Sequence, residues 1–167
     1  MEKITSIDQI EDGRGRELDL RDIILGGQDG MVNVLGVTAG VAAASGDSRL
    51  TIAAGLAATF AESFSMAAVA YTSAVFGHRA VLDALIVGVS AILGSFIPLL
   101  PFIFLPISTA LWVAVSVSAV ALFFLGIYKA RVLKLGLLRV GLEVTIIGMI
   151  AALVGYLVGL LFKAPAV

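Results

Sequence analysis

One acidic residue lies inside an apolar stretch that is long enough to cross a membrane. The stretch runs from Arg21 to Gly40, and Asp29 lies in its first half. A charged side chain is costly at the centre of a bilayer, so Asp29 should face protein or water rather than lipid. The hypothesis that follows is that Asp29 binds a cation. On a helix, Asn33 lies one turn further along the same face and is a second candidate oxygen ligand.

A second acidic residue, Glu62, occupies the next apolar stretch. Met66 follows four residues later and therefore lies one turn away on the same helix face. A methionine in an apolar helix most often only fills space, whereas one beside a buried carboxylate can also contact a bound ion. Both interpretations of Met66 stay open. The candidate metal ligands are thus Asp29, Asn33, Glu62 and Met66.

The two carboxylates favour exchange of a metal ion for protons. No Lys, Arg or His is expected at the depth of Asp29 and Glu62, so burial should favour the protonated form of both when no metal is bound. A divalent cation would displace those protons on binding. Carboxylate oxygens combined with a thioether sulfur suit Fe²⁺ or Mn²⁺ better than Mg²⁺ as the transported substrate.

Small residues in the first stretch predict close helix packing. Gly26, Gly36 and Gly40 lie on the stripe that contains Asp29 and Asn33, and the last two glycines have the GxxxG spacing. Two carboxylates per chain are too few for a complete coordination shell. We therefore expect a twofold homodimer in which the first helices meet along these glycines and bring both sets of ligands around one axis.

The composition places these residues in an integral membrane protein. Of the 167 residues, 60% are hydrophobic and 14% are charged, and the mean hydropathy is +1.09, values outside the usual range of a soluble domain. The chain has no cysteine and one histidine, which excludes thiolate and multi-histidine metal sites. Without a Ser–His pair, an HExxH motif or a nucleotide-binding loop, we expect no enzymatic activity. We also expect no resident cofactor and no nucleic-acid partner.

Five apolar segments each reach roughly the 20 residues that a helix needs to cross the hydrocarbon core. We predict an all-α polytopic membrane protein whose transmembrane helices are Ile23–Ala44, Leu50–Phe76, Ala84–Leu105, Ile107–Ile127 and Val140–Phe162. Residues 1–20 are rich in acidic residues and form a predicted cytoplasmic arm, and residues 21–167 form the transmembrane domain. The longest predicted linker is the basic segment Lys129–Arg139.

Basic residues predict the orientation, because Lys and Arg in short loops stay on the cytoplasmic side. If the N-terminus is inside, only Arg49 and Lys163 lie on the far side. The other nine lie on the cytoplasmic side: Lys3, Arg14, Arg16, Arg21, Arg79, Lys129, Arg131, Lys134 and Arg139. We therefore expect a cytoplasmic N-terminus. We also expect an integral protein of a prokaryotic plasma membrane, whose helices contact the lipid bilayer.

Ordered motifs along all five segments resemble the vacuolar iron transporter family. They are the Arg21–Asp22 pair followed by G-x-x-D-G with Asp29, the Ser65–Met66 pair with Tyr71, IPLLP in the third segment, LG-x-YK-A in the fourth, and GLE with GY-x-x-G in the fifth. The resemblance implies a dimeric five-helix exchanger that moves Fe²⁺, and often Mn²⁺, out of the cytoplasm against protons. It also implies metal-binding roles for Asp29 and Met66.

Two features depart from the family pattern. Vacuolar members carry a Glu-rich helical cytoplasmic domain between the second and third spans, where this chain has only Gly77 to about Asp83. They also have a Glu two turns before the Met, where this chain has Ala58, while Glu62 lies one turn before Met66. The shifted carboxylate either keeps the mechanism or changes the ion.

A second interpretation from another functional class is a non-transporting dimeric membrane scaffold. The two intramembrane carboxylates argue against it, because a scaffold has no need of such costly groups.

Overall fold

Every regular element of the described chain is an α-helix. The computed structural model describes the backbone of residues 2–73 and 78–163 and the side chains of residues 20–73 and 80–163. The helices are α1 (Glu2–Ser45), α2 (Ser48–Ser73), α3 (His78–Phe104), α4 (Ile107–Val132) and α5 (Leu137–Leu161). Within these ranges the all-α prediction is confirmed.

Four helices have the length and composition of membrane-crossing segments. Among the described residues these are α2, α4, α5 and the part of α3 from Ala80 onwards. Their outward faces carry large apolar side chains, and Phe64, for example, is 75% exposed. The first helix begins at Glu2 and includes most of the segment expected as an arm. A membrane span in α1, the boundary at residue 20 and the orientation stay predictions.

The fourth helix is longer than its predicted span. It continues to Val132 instead of Ile127, so Lys129 and Arg131 lie in its last turn rather than in a linker. The helix ends just before Lys134, whose φ of 54° departs from helical geometry. The prediction placed the boundary where hydropathy falls, but charged residues continue a helix as readily as apolar ones.

The third helix also extends beyond its predicted span. It begins at His78 rather than Ala84 and continues through Pro98 and Pro101. Pro106 lies between α3 and α4, in the gap between the third and fourth predicted spans. Residues 74–77, which include the end of the predicted second span, lie outside the described residues.

A tight turn joins α1 and α2 as an antiparallel pair. Gly46 follows the end of α1 with a φ of 63°, in the left-handed region that glycine adopts without strain. Asp47 Oδ1 then accepts a hydrogen bond of 2.9 Å from the Leu50 N–H and caps the start of α2. The turn fixes which residues of the two helices face each other.

The first helix contacts all four of the others. Gly26 lies against the α3 backbone, and Gly36 and Gly40 lie against Ala151 and Gly155 of α5. A Cβ atom on Gly40 would come within 2.8 Å of the Gly155 carbonyl oxygen. Apolar clusters then fill the bundle behind α1; their buried members are Met31, Leu35, Ala42, Phe102, Ala110, Ala114, Leu122, Ala130, Val140, Val144 and Ala152.

Gly26 is buried against α3 of the same chain, whereas Gly36 and Gly40 are only partly buried, so the meeting of two first helices along Gly36 and Gly40 stays a prediction. These glycines pack α1 against α3 and α5 of the same chain. A missing side chain admits any helix that approaches closely, and the spacing of the glycines does not say which helix that is. The homodimer itself also stays a prediction.

The α1–α5 contact predicts a difference between two glycine substitutions. The Cβ of Gly155→Ala would collide with the Gly36 backbone, which cannot move aside as a flexible side chain can. We expect a loss of roughly 1–3 kcal/mol, the usual cost of overpacking. In the control Gly27→Ala, the nearest atom lies 3.7 Å away, an ordinary contact. Thermal unfolding of the purified variants in detergent should show a lower melting temperature for Gly155→Ala alone, and equal melting temperatures would contradict this packing.

Candidate functional site

The Glu62 side chain lies near the middle of α2, a membrane-crossing helix. Both of its carboxylate oxygens are buried, and neither has a hydrogen-bond partner among the described residues. A buried carboxylate without partners is costly, and in native proteins such a group usually reflects a proton, an ion or a functional role. Glu62 is therefore the group on which the candidate site is centred.

Two side chains of α1, Asp29 and Asn33, face Glu62 closely enough to act on its charge. The register of the helices explains this, since Thr38 of α1 lies against Gly55 of α2. Nine residues back along α1 is Asp29, and nine residues forward along α2 is position 64, so Asp29 and Glu62 lie at nearly the same depth. The structure thus brings together three of the four predicted ligands.

Next to Glu62, α2 presents a buried row of small and hydroxyl residues to the bundle, which consists of Thr51, Gly55, Thr59 and Ser63. The Ser63 hydroxyl donates to the Thr59 carbonyl at 2.6 Å, and the Thr59 hydroxyl donates to the Gly55 carbonyl at 2.8 Å. These hydroxyls are satisfied by their own helix and leave the Glu62 oxygens without a partner. The row allows α2 to pack closely and holds Glu62 at the edge of the interface.

Met66 is partly buried and lies one turn beyond Glu62 on α2. Its proximity to the carboxylate follows from the helix repeat, which places residues i and i+4 on the same face. Its role as a soft ligand stays a prediction. Ala58, where vacuolar members of the resembled family carry a Glu, lies one turn from Glu62 in the opposite direction and is also partly buried.

Asp29 and Asn33 are exposed on the surface of the single chain, although they lie level with the middle of α2. Beyond Asn33 an apolar groove of about 710 Å³ runs between α1 and α5, with Gly36 and Gly40 in its floor. A carboxylate and an amide at this depth should not face lipid. The outward face of α1, between α2 and α5, is therefore a surface that water or another protein must cover.

A cation lies closer in depth to Asp29 than the sequence predicted. Lys129 Nζ donates a hydrogen bond of 3.2 Å to Gln28 Oε1, and Gln28 directly precedes Asp29. Successive helix residues point about 100° apart, so Gln28 and Asp29 are directed to different sides of α1. This contact was not expected from the sequence, because the prediction placed Lys129 in a linker, whereas α4 continues to Val132 and includes Lys129 in its last turn. The sequence has no Gly or Pro between Gly126 and Gly136. That absence of helix breakers was the signal that α4 continues past Ile127.

The ligand set of one chain is incomplete. Among the described residues, no three Asp, Glu, His or Cys side chains lie together in a group that could hold a metal ion. The α1–α2 interface offers two carboxylates and an amide, with a thioether one turn away. Transition metals bound by such oxygen ligands take four to six donors. A metal ion at this candidate site would need further donors from water or from a second copy of the chain.

Comparison with known proteins identifies sequence relatives of this chain. The profile of the VIT family matches residues 20–78 and 75–160. The chain is also 28% identical over 156 aligned positions to the uncharacterized protein MJ0645 of Methanocaldococcus jannaschii, and the match covers 76% of this chain and 81% of that protein.

The position of Glu62 predicts how metal binding responds to removal of its charge. Glu62→Gln keeps the shape of the side chain but removes a negatively charged ligand. Loss of a residue that only orients a metal ligand already lowers metal affinity by roughly tenfold or more. The affinity for Co²⁺ or Mn²⁺ should therefore fall at least roughly tenfold in this variant. The control is Glu143→Gln, which alters an exposed carboxylate on α5. Isothermal titration of both variants in detergent measures the affinities. Unchanged affinity in Glu62→Gln would make this residue a packing group only.

Proposed function

The chain belongs to the VIT family, and we propose on that basis that it transports divalent transition-metal cations, Fe²⁺ or Mn²⁺, out of the cytoplasm in exchange for protons. The observation that supports this most strongly is the Glu62 carboxylate, whose two oxygens are buried in a membrane-crossing helix and face Asp29 and Asn33 on the outward face of α1. Transport rather than catalysis is proposed, because members of this family are transporters.

Exchange for protons follows from the chemistry of the two carboxylates. A divalent ion bound between Asp29 and Glu62 neutralises both carboxylates, and two protons bound in its place would do the same. The two states therefore carry the same net charge through the low-dielectric region. One divalent ion is replaced by as many as two protons per pair of carboxylates.

The proposed substrate is a first-row transition metal. Carboxylate and amide oxygens bind Mn²⁺ and Fe²⁺, and a thioether sulfur from Met66 adds affinity for the softer ion of the two. Mg²⁺ keeps most of its own water and gains little from sulfur. Of the four proposed ligands, Met66 is the one whose chemistry separates these ions.

We propose a homodimer that meets on the outward face of α1. Asp29 and Asn33 are exposed there in the single chain, flanked by α2 and α5. A twofold axis beside these residues would cover both from lipid and would bring two copies of Asp29, Asn33 and Glu62 together. Val37 and the apolar α1–α5 groove continue the same face and would be buried with them.

The proposed orientation of the chain in the membrane follows from the charges at the two ends of the bundle. Among the described residues, one end carries Arg21, Lys129, Arg131, Lys134 and Arg139, and the other carries Arg49 and Lys163. The end with more basic residues, which we call the basic end, is placed in the cytoplasm by the positive-inside rule. We propose five membrane spans, with α1 as the first, in a prokaryotic plasma membrane.

Metal flux in liposomes tests the proposal. Purified protein should carry Fe²⁺ or Co²⁺ into vesicles that contain a metal-quenched dye, with opposite movement of protons reported by a pH dye. Asp29→Asn keeps the size of the side chain and removes its charge, so flux should fall at least roughly tenfold because a ligand is lost.

Asp29→Glu is the matched variant, since it keeps the carboxylate and should retain measurable flux. No metal flux through the wild-type protein would overturn the transport proposal. Metal flux without proton movement would contradict the exchange for protons but not the metal transport. Wild-type flux through Asp29→Asn would remove this residue from the pathway.

A further inference from the structure

A cleft lined by two basic side chains lies at the basic end, between residues 21–25 of α1 and the end of α4. Its volume is about 330 Å³, and the residues that line it are Arg21, Ile24, Leu25, Lys129, Val132 and Leu133. It lies on a different side of α1 from the Glu62 site, because it opens towards α4 whereas Glu62 belongs to α2. The metal pathway proposed above does not use it.

The charges of the cleft suit an anion. Arg21 and Lys129 are the two charged residues that line it, and no carboxylate does. Lys129 uses one of its three ammonium hydrogens to bond Gln28 Oε1 at 3.2 Å. That bond fixes the position of the ammonium group and leaves two donors for a ligand. Arg21 adds a planar guanidinium that can bond two oxygens of one phosphate group.

The remaining walls of the cleft suit a hydrocarbon chain. Ile24, Leu25, Val132 and Leu133 are apolar, and Leu25 is 54% exposed and Leu133 47% exposed. Since α4 is a membrane-crossing helix and Lys129 lies in its last turn, the cleft is at the level where hydrocarbon meets the headgroups. Cationic and apolar walls meet there in one cleft between helices.

We propose that this cleft binds one anionic phospholipid of the leaflet at the basic end. The phosphate lies between Arg21 and Lys129, and an acyl chain runs along Leu25 and Leu133. Basic clefts between membrane helices near the cytoplasmic surface are suited to lipid headgroups in this way. A metal ion is disfavoured by the two cations. A free phosphate ion would satisfy the cations but would leave the apolar walls without a partner. This inference does not depend on the transport function.

Native mass spectrometry of the purified protein in detergent tests the proposal, with dioleoylphosphatidylglycerol as the probe. We expect one tightly bound lipid per chain and weaker binding of dioleoylphosphatidylcholine. Arg21→Gln and Lys129→Gln should each weaken phosphatidylglycerol binding roughly fivefold, which corresponds to about 1 kcal/mol per basic residue near a membrane surface. Lys129→Arg keeps the cation and should bind like the wild type.

The control variant is Arg131→Gln, which removes an exposed cation from the same turn of α4 but outside the cleft, and its affinity should stay within about twofold of the wild type. Arg21→Gln leaves the Lys129–Gln28 hydrogen bond in place, so it tests the cleft even if Lys129→Gln folds poorly. Three results would overturn the proposal: equal weakening in Arg131→Gln, equal binding of phosphatidylcholine, or displacement of the lipid by inorganic phosphate.

Discussion

The buried carboxylate of Glu62 is the constraint on which the arrangement of this bundle depends. Its two oxygens have no hydrogen-bond partner among the described residues, and they lie in the middle of a helix that is apolar enough to cross a membrane. Such a group is stable only if a proton, a cation or a further polar group meets it. Asp29 and Asn33 lie opposite, so a cation between the helices would meet both carboxylates.

The packing of α1 serves this arrangement. Glycines on two sides of the helix bring α3 and α5 into backbone contact, and the short turn at Gly46 brings α2 alongside. These contacts hold three sides of α1 and leave its outward face, with Asp29 and Asn33, at the surface of the chain. A polar surface at membrane depth must be covered by water or protein, which is why we place the dimer axis there.

Much of this could be predicted from the sequence, because hydropathy and helix periodicity are local properties. The helical class, four membrane-crossing segments and the approach of Asp29, Asn33 and Glu62 all follow from apolar length, a repeat near four residues and a short α1–α2 turn. Contacts between distant segments could not be predicted in the same way. The partners of Gly36 and Gly40 depend on which helix lies beside α1. Lys129 reaches Gln28 only because α4 continues past the end of its apolar stretch.

The central claim is that a divalent cation binds between α1 and α2, with Glu62 in place of the glutamate that the resembled family carries at the position of Ala58. Anomalous scattering at the manganese edge, measured from crystals of the protein grown with saturating Mn²⁺, tests it most directly. The account predicts that the strongest anomalous peak lies between the carboxylates of Asp29 and Glu62, within bonding distance of both. A peak elsewhere on the molecule, with none between these two side chains, would contradict it.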